Sequence, residues 1–407
     1  RLGSTVNTMM STTAQDVRSG VWEQRVSANA RFMRRVDFAE LLLYWIPFAE
    51  AASAATAAEA VRTCGHGLGP EDVLHFKPSA SHLEPGFLVT RDKSRNAIVC
   101  IVRSTQSIAD VMTDLTVETE PFLGDYGHRG IIAAAVQLAD HSVIPEIMRK
   151  FVRDGTEFVV VGHSLGAAVG MALAMYLKTK TSVPQKISCI AFCPPPFVGR
   201  RLALRNADPS LISVVNGFDL VSRLSVASLE RLIAELEDRQ NQASVYRSML
   251  EPYVGRDIAV GIESSLPSFW SLVGYAAQPT RTESATRGAS WTTLESLGSA
   301  IQAASYALNV PSGLAAGADR QTPLATNAAG LNSSRELRIP GQLYHVYRSG
   351  PNAPVRILAD ISCDAFADLE ISQEMLSDHF TSVLRNSLEN FIATAASHRH
   401  EEQLIVD

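Results

Sequence analysis

The chain has 407 residues, of which 46% are hydrophobic and 19% are charged, and its formal net charge at pH 7 is -6. This balance is typical of a globular protein with a large core and excludes a disordered chain. The negative charge argues against a nucleic-acid partner and against a polybasic membrane anchor. The five cysteines are scattered and do not form a disulfide framework, which favours a reducing, intracellular setting.

Four segments are expected along the chain. We predict an N-terminal arm with helices over residues 1–69, a first core segment over 70–225, a cap or regulatory insertion over 226–340 and a last core segment over 341–407. One catalytic domain with an insertion accounts for this length. The most apolar stretch, 38–58, is interrupted by charged residues and a proline, so it predicts amphipathic or buried helices and no transmembrane helix.

Apolar runs that predict strands alternate with patterns that predict helices. The predicted strands are residues 87–90, 97–103, 158–161, 187–193, 212–216, 343–348 and 355–359. The predicted helices are residues 130–152, 167–177, 229–236 and 381–394. This alternation predicts an α/β fold, with a mostly parallel central sheet covered by helices on both faces.

The most informative motif is a Gly-x-Ser-x-Gly sequence formed by Gly162, His163, Ser164, Leu165 and Gly166. It follows a predicted strand and precedes a helix rich in small residues, as the nucleophile elbow of an α/β-hydrolase does. Such a serine lies on a strained turn with its hydroxyl exposed, and the glycines leave out side chains that would clash. So short a pattern also occurs by chance, but its context favours a catalytic nucleophile.

A nucleophilic serine needs a histidine base and a carboxylate that orients it, and α/β-hydrolases supply them in the order serine, acid, histidine. The histidines that follow Ser164 are His345, His379, His398 and His400. His345 lies in a predicted strand, where a structural histidine is expected, and the last two lie in a polar tail. His379, on a loop before the last helix, is therefore the predicted base by elimination.

The acid is expected at the carboxyl end of a strand that follows the nucleophile. Asp219 comes directly after such a strand and fits best. Asp208 precedes a proline in a turn, where aspartate commonly serves local hydrogen bonding alone. Asp360 and Asp364 follow the last predicted strand and stay open as alternatives.

Ester chemistry also needs N–H donors for the developing oxyanion. Leu165, at the N-terminus of the helix after Ser164, is expected to supply one through its backbone. The loop after strand 97–103 is expected to supply the other at Thr105, which offers both an N–H and a hydroxyl. The mechanism requires no metal and no cofactor.

Residues 226–340 interrupt the alternation of strands and helices, and much of this segment is rich in small residues. Its apolar stretch contains Leu266, Phe269 and Trp270. One interpretation is that the stretch packs on the core. The other is a lid whose apolar inner face suits a lipid substrate.

Taken together, the motifs resemble those of the class 3 lipases. Residues 98–105 resemble the strand and oxyanion loop of that family, and residues 128–130 resemble the His-x-Gly that opens its next helix. Residues 216–224 resemble the acid motif Asn-x-x-Asp-x-Val-Pro-Arg-Leu. The pair Asp378-His379 resembles the Asp-His that carries the catalytic histidine.

The resemblance is strongest to the sn-1-specific diacylglycerol lipase branch, which has a long insertion between acid and histidine. It implies Ser164 as nucleophile, Asp219 as acid and His379 as base, with Thr105 and Leu165 as the oxyanion hole.

Two positions depart from the family pattern. Ser104 stands where glycine is usual and is expected to restrict the oxyanion loop. Ser222 replaces the usual proline, with little effect expected.

The implied function is a serine lipase that hydrolyses an acyl ester of diacylglycerol or a related glycerolipid through an acyl-serine intermediate. Its expected partners are the glycerolipid substrate and a membrane or lipid-droplet surface, with which an intracellular enzyme would associate peripherally. A phospholipase or broad carboxylesterase on the same triad is the enzyme alternative. A non-catalytic, lipase-like scaffold is the alternative from another class of protein.

Overall fold

The structure is a computed structural model that describes the larger part of the chain. The described residues are 31–33, 35–78, 85–104, 119–152, 155–180, 186–205, 208–225, 227–228, 231, 336–348, 353–370, 372 and 374–404. Thr105 and the lid candidates Leu266, Phe269 and Trp270 lie outside them, so the predictions made for these residues stay predictions.

Thirteen strands fall within the described ranges, and most coincide with the predicted apolar runs. They are β1 (Arg31–Met33), β2 (Val73–Lys77), β3 (Phe87–Asp92), β4 (Ala97–Val102), β5 (Thr119–Phe122), β6 (Asp125–His128), β7 (Glu157–His163), β8 (Ile187–Phe192), β9 (Val198–Gly199), β10 (Leu211–Asn216), β11 (Leu337–Arg338), β12 (Gln342–Tyr347) and β13 (Arg356–Ala359).

Nine of these strands form one central sheet in the order β1-β13-β12-β10-β8-β7-β4-β3-β2. The middle of the sheet, β4-β7-β8-β10-β12, is parallel throughout. The outer strands on both sides pair antiparallel. A parallel centre places the carboxyl ends of β7 and β10 at the same edge, where an α/β-hydrolase carries its nucleophile and acid. The predicted α/β-hydrolase fold is confirmed.

Helices cover both faces of this sheet. They are α1 (Val36–Ala51), α2 (Ala57–Cys64), α3 (Arg129–His141), α4 (Ile144–Phe151), α5 (Leu165–Lys178), α6 (Arg200–Arg205) and α7 (Thr381–Leu404). One core joins α3, α4 and α5 to the sheet, and the other joins α1 and α7 to it. Val160 of β7 lies in the first core, while Val159 and Val161 lie in the second. Burial on both faces explains why the strands are continuous apolar runs.

The N-terminal region contributes directly to the sheet. Strand β1 pairs with β13, and α1 buries Leu42, Ile46 and Phe48 against the second core. Helix α1 is a largely buried helix, as predicted for this stretch, and it is continuous through Pro47. Burial of this apolar helix face outweighs the hydrogen bond that proline removes.

Several other elements differ from the sequence predictions. The predicted helix 130–152 is two helices, α3 and α4, separated at Ser142, whose hydroxyl accepts from the N–H of Ile144. Helix α7 continues to Leu404, so positions 398 and 400 lie in a helix and not in a polar tail. A small antiparallel sheet, β11-β9-β6-β5, was not predicted from the sequence.

Ion pairs connect the two described flanks of the insertion. Arg231 bonds Glu336 at 3.2 Å and Asp368 at 2.6 Å. Arg338, on β11, bonds Glu336 and Asp364. The two flanks therefore contact each other and also contact the segment that precedes His379. The boundaries predicted for the four segments stay predictions.

No single described helix is long and apolar enough to cross a membrane. Helices α3 and α4 reach such a length only as a pair bent by 51°, and their apolar side chains form part of the first core. All five cysteines are buried free thiols.

Candidate active site

Ser164 lies between the end of β7 and the start of α5. Its backbone conformation is one that residues other than glycine rarely adopt. Its φ is 57°, and its N–H donates to the carbonyl oxygen of Phe192 on β8 at 2.9 Å. Positive φ values in residues other than glycine cost free energy and cluster at functional sites. The sharp strand-to-helix turn predicted from the Gly-x-Ser-x-Gly motif is therefore present.

The two glycines of the motif leave no room for a side chain. A Cβ on Gly162 would lie 2.5 Å from the carbonyl oxygen of Gly166, and a Cβ on Gly166 would lie 2.4 Å from the carbonyl oxygen of Val102. Both contacts are with backbone, which cannot move aside cheaply. The turn thus packs directly against the end of β4.

His379 lies within hydrogen-bond distance of both Ser164 and Asp219. Its Nε2 is 2.9 Å from the Ser164 hydroxyl oxygen, and its Nδ1 is 2.9 Å from Asp219 Oδ1. Because a carboxylate oxygen only accepts, Nδ1 carries the proton and Nε2 accepts from the serine hydroxyl. The structure brings together the three residues predicted as nucleophile, acid and base, in the geometry of a proton relay.

Asp219 is fully buried, yet its carboxyl group favours the ionised form. Burial by itself raises the pKa of a carboxyl group. The charge of His379 and hydrogen bonds from His379, Ser222 and Cys193 outweigh that effect, so the pKa of Asp219 lies below its ordinary value. A charged Asp219 can stabilise an imidazolium at His379.

The other candidate acids are engaged elsewhere. Asp208 accepts from the N–H and the hydroxyl of Ser210, at 2.9 and 2.7 Å, which is the local turn bonding expected for it. Asp364 forms ion pairs with Arg200 and Arg338. Asp360 lies 3.4 Å from Gln342 Nε2. None of these three carboxylates contacts His379 among the described hydrogen bonds.

His345 is a structural histidine, as the strand around it predicts. It is buried in β12, and its Nε2 donates to the carbonyl oxygen of Gly217 at 2.7 Å. Burial and the neighbouring charge of Arg223 lower the pKa of His345 to about 3. A neutral imidazole here braces the turn that leads to Asp219.

A set of hydrogen bonds that sequence reasoning missed ties the turn of the acid to the turn of the histidine. The Asn216 side chain donates to the Asp378 carbonyl oxygen at 2.9 Å, and the Phe218 N–H donates to the Asp378 carboxylate at 2.8 Å. The Leu220 N–H donates to the Met375 carbonyl oxygen at 3.0 Å. The matching signal in the sequence is the pair of motifs Asn-x-x-Asp and Asp-His, which supply both ends of these bonds.

Asp378 is itself perturbed. Burial, together with the charges of Asp219 and Glu374, raises the pKa of Asp378 to about 7. Gly217 approaches this carboxyl group so closely that a Cβ would lie 2.1 Å from Asp378 Oδ2, and its φ is 48°. Only glycine fits this position without displacing Asp378.

His163, the variable residue before the nucleophile, faces the histidine turn. Its Nε2 donates to the His379 carbonyl oxygen at 2.7 Å, and the two rings are 4.7 Å apart. The surrounding protein desolvates the imidazole of His163 and lowers its pKa to about 3. This residue is therefore a neutral donor.

Three side chains in the site have ligand atoms that could hold a metal ion, with all three within 4.8 Å of one another. They are His163, Cys193 and His379. The hydrogen bonds already engage both ring nitrogens of His379, one with Ser164 and one with Asp219. The arrangement thus favours proton transfer at His379 over metal binding.

The backbone of Leu165 begins α5, and the first N–H groups of a helix have no acceptor within their own helix. Beside it, a Cβ on Gly166 would lie 2.9 Å from the backbone carbon of Arg103, so the chain leaving β4 passes the N-terminus of α5. Thr105 follows two residues later and lies outside the described residues. The oxyanion hole stays a prediction.

Ser222 stands where the family pattern has proline, and its hydroxyl is buried and donates to Asp219 Oδ2 at 2.7 Å. The small effect expected of this departure stays a prediction. The His-x-Gly resemblance fits the local structure, since His128 Nδ1 accepts from the Ile131 N–H at the start of α3.

Known proteins with similar sequences include lipases. The family described as lipase (class 3) matches residues 99–229. Diacylglycerol lipase-beta of Mus musculus is 32% identical over 174 residues, which is 41% of this chain and 26% of the relative. Diacylglycerol lipase-alpha of Homo sapiens is 28% identical over 180 residues, or 41% of this chain and 17% of the relative. The chain thus spans about a quarter or less of these relatives.

Solved structures of lipases are also similar. A Rhizomucor miehei lipase propeptide complex has a TM-score of 0.39 and 17% identity, and the match covers 48% of this chain and 65% of that one. Lipase II from Rhizopus niveus has a TM-score of 0.39 and 16% identity, with 47% and 76% covered.

Residues 99–229 match the class 3 lipase family and lie within an α/β-hydrolase fold. The resemblance predicted from the motifs is confirmed, and diacylglycerol lipases are among the curated relatives of the chain.

Proposed function

We propose that the chain hydrolyses an acyl ester of diacylglycerol or a related glycerolipid at a membrane or lipid-droplet surface, through an acyl-serine intermediate on Ser164. The observation that carries this proposal is the pair of 2.9 Å hydrogen bonds joining Ser164 to His379 and His379 to Asp219. The diacylglycerol lipases among the relatives support the choice of substrate class.

The first half of the reaction forms the acyl-enzyme. Ser164 Oγ attacks the ester carbonyl carbon while its proton passes to His379 Nε2. The carbonyl oxygen becomes an oxyanion, for which the Leu165 N–H at the start of α5, together with Thr105, is the proposed donor set. The tetrahedral intermediate then breaks its bond to the glycerol oxygen, which takes the proton from His379 and leaves as an alcohol.

The second half returns the enzyme to its starting state. His379 takes a proton from water, and the water oxygen attacks the acyl carbon. The intermediate expels Ser164 Oγ, which recovers the proton from His379, and the fatty acid leaves. Asp219 keeps its negative charge throughout and stabilises the imidazolium at His379 in both halves.

Hydrolysis of a panel of lipids tests this proposal. The intact chain would be assayed on diacylglycerol, a phospholipid and a short soluble ester, each beside Ser164→Ala. Release of fatty acid from diacylglycerol that is lost in Ser164→Ala is the expected result. Preference for phospholipid or the soluble ester would redirect the substrate assignment, and no Ser164-dependent release from any of them would support the scaffold alternative.

A further inference from the structure

Both oxygens of the Asp219 carboxylate are held by donors besides His379. Oδ1 accepts from His379 Nδ1 at 2.9 Å and from the Val221 N–H at 3.0 Å. Oδ2 accepts from the Ser222 hydroxyl at 2.7 Å. The buried Cys193 thiol, one residue after β8, lies near enough to this carboxylate to help lower its pKa. Ser222 is thus a side-chain donor, and Cys193 a neighbouring thiol, that the proton relay itself does not use.

Burial makes these donors matter. Asp219 and Ser222 are 0% exposed and Cys193 is 1% exposed. Where water cannot enter, a donor lost by mutation is not replaced by solvent, and the carboxylate is left with an unmet hydrogen bond. Hydrogen bonds to a charged acceptor are also about twice as strong as those between neutral groups.

Ser222 is also unusual for its place in the acid motif. The class 3 lipase pattern has proline here, and proline carries no hydroxyl. Ser222 lies in the single helical turn Val221–Arg223 that follows the acid, so its side chain reaches back to Asp219. The acid is therefore held by a bond that a proline at position 222 could not supply.

We propose that Ser222 and Cys193 are positioning residues that fix the rotation of the Asp219 carboxylate, so that Oδ1 faces His379 Nδ1. A carboxylate free to rotate would spend less time in the orientation that holds the imidazole toward Ser164. The inference rests on the proposed hydrolase function, because its consequence is a faster chemical step. Substrate binding should not depend on either residue.

The ionisation of both groups agrees with this role. Burial raises the pKa of the Cys193 thiol well above its ordinary value, so the thiol keeps its proton and remains a donor. Burial raises the pKa of Asp219, but the charge of His379, the hydrogen bonds from His379 and Ser222 and the contribution of Cys193 bring it below its ordinary value.

The test is a series of donors at position 222 in the full chain, with turnover and KM measured on a soluble ester and on diacylglycerol micelles. Ser222→Ala should lower kcat about tenfold, with KM within about twofold of the wild type. Ser222→Thr should keep most of the activity, and Ser222→Cys, a weaker donor, should fall between wild type and alanine. Cys193→Ala should also lower kcat, and the double variant should lose more than the product of the two single losses.

The matched control is Ser213→Ala. Ser213 is also a fully buried serine, but its hydroxyl donates to the Pro340 carbonyl oxygen at 2.8 Å. It should lose stability as Ser222→Ala does and keep its kcat. Melting temperatures of all variants separate loss of folding from loss of turnover, and if Ser222→Ala fails to fold, the comparison of Ser222→Thr with Ser222→Cys carries the test.

An active wild type with equal kcat across the donor series would overturn this inference and leave the proposed function standing. Equal losses of kcat in Ser213→Ala and Ser222→Ala would overturn it as well, because the effect would then be general. A wild type without Ser164-dependent hydrolysis would overturn the proposed function and this inference with it.

Discussion

The imidazole of His163 donates a hydrogen bond to the backbone carbonyl oxygen of His379 at 2.7 Å. The residue before the nucleophile therefore braces the turn that carries the base. Because the pKa of His163 is lowered to about 3, the imidazole is neutral through the range in which hydrolases work, and the brace does not depend on pH there.

This brace predicts the effect of replacing His163. His163→Ala should lower both the melting temperature and kcat, since the His379 turn loses a partly buried donor worth about 1 kcal/mol. His163→Gln, whose amide can donate in place of Nε2, should keep more of both. Turnover and thermal unfolding of the two variants give the comparison, and equal behaviour of glutamine and alanine would show that the hydrogen bond is not what matters.

Removing the charge of the acid should be severe for turnover and mild for folding. In Asp219→Asn the amide cannot stabilise an imidazolium and can favour the wrong tautomer of His379, so kcat should fall by about 10⁴-fold. Asp208→Asn is the control, because the bonds of Asp208 to described residues are with its own turn and with Lys178. Full activity of Asp219→Asn, with losses at Asp360 or Asp364, would move the acid to the later strand.

The raised pKa of Asp378 predicts a change in how stability depends on pH. Its pKa is about 7 in the folded chain against an ordinary value of 3.8. Between these values the folded state holds a proton that the unfolded state has released, so Asp378 lowers stability as pH rises through this window. Asp378→Asn does not titrate, so its melting temperature relative to wild type should rise between about pH 4 and about pH 7 and level off above that. If the difference in melting temperature between Asp378→Asn and wild type stays constant with pH, the raised pKa of Asp378 would be contradicted.

The glycine after the nucleophile predicts a steric effect. Gly166→Ala would bring a Cβ to 2.4 Å from the Val102 carbonyl oxygen, so the elbow must shift away from β4. We expect a loss of about 1–3 kcal/mol of unfolding free energy together with a steep loss of kcat. Gly170→Ala lies in the same helix, and its nearest neighbour is the Val160 side chain at 3.0 Å. Gly170→Ala should lose less unfolding free energy than Gly166→Ala when both are unfolded in denaturant. Similar losses of unfolding free energy in the two variants would contradict the steric explanation.

Much of the fold follows from the sequence because its strands are long and buried on two faces. Continuous apolar runs such as β4 and β7 are predicted at nearly their observed bounds. Short elements are not predicted, because two residues are too few to show an alternation of apolar and polar side chains. Strands β9 and β11 have two residues each, and they pair with each other although they are far apart in the sequence.

The candidate site was predictable where a motif fixes a residue type and its context. Ser164, Asp219 and His379 each follow a strand or precede a helix at the expected place in chain order. The hydrogen bonds that surround them were not predictable in the same way. Ser222 reaches Asp219 because of the shape of the turn between them, and the amino-acid composition does not reveal that shape. Cys193 is separated from Asp219 in sequence and meets it only because β8 and β10 are neighbours in the sheet.

Labelling with a serine-directed fluorophosphonate tests the central claim most directly. The folded, full chain would be incubated with the probe, and the modified residue would be located by peptide mass spectrometry. The His379→Ala variant, in which Ser164 lacks its base, would be treated in the same way. We expect one label per chain, on Ser164, and we expect the label to form much more slowly in His379→Ala. A folded wild type that stays unlabelled, or that carries the label on a different serine, would contradict it.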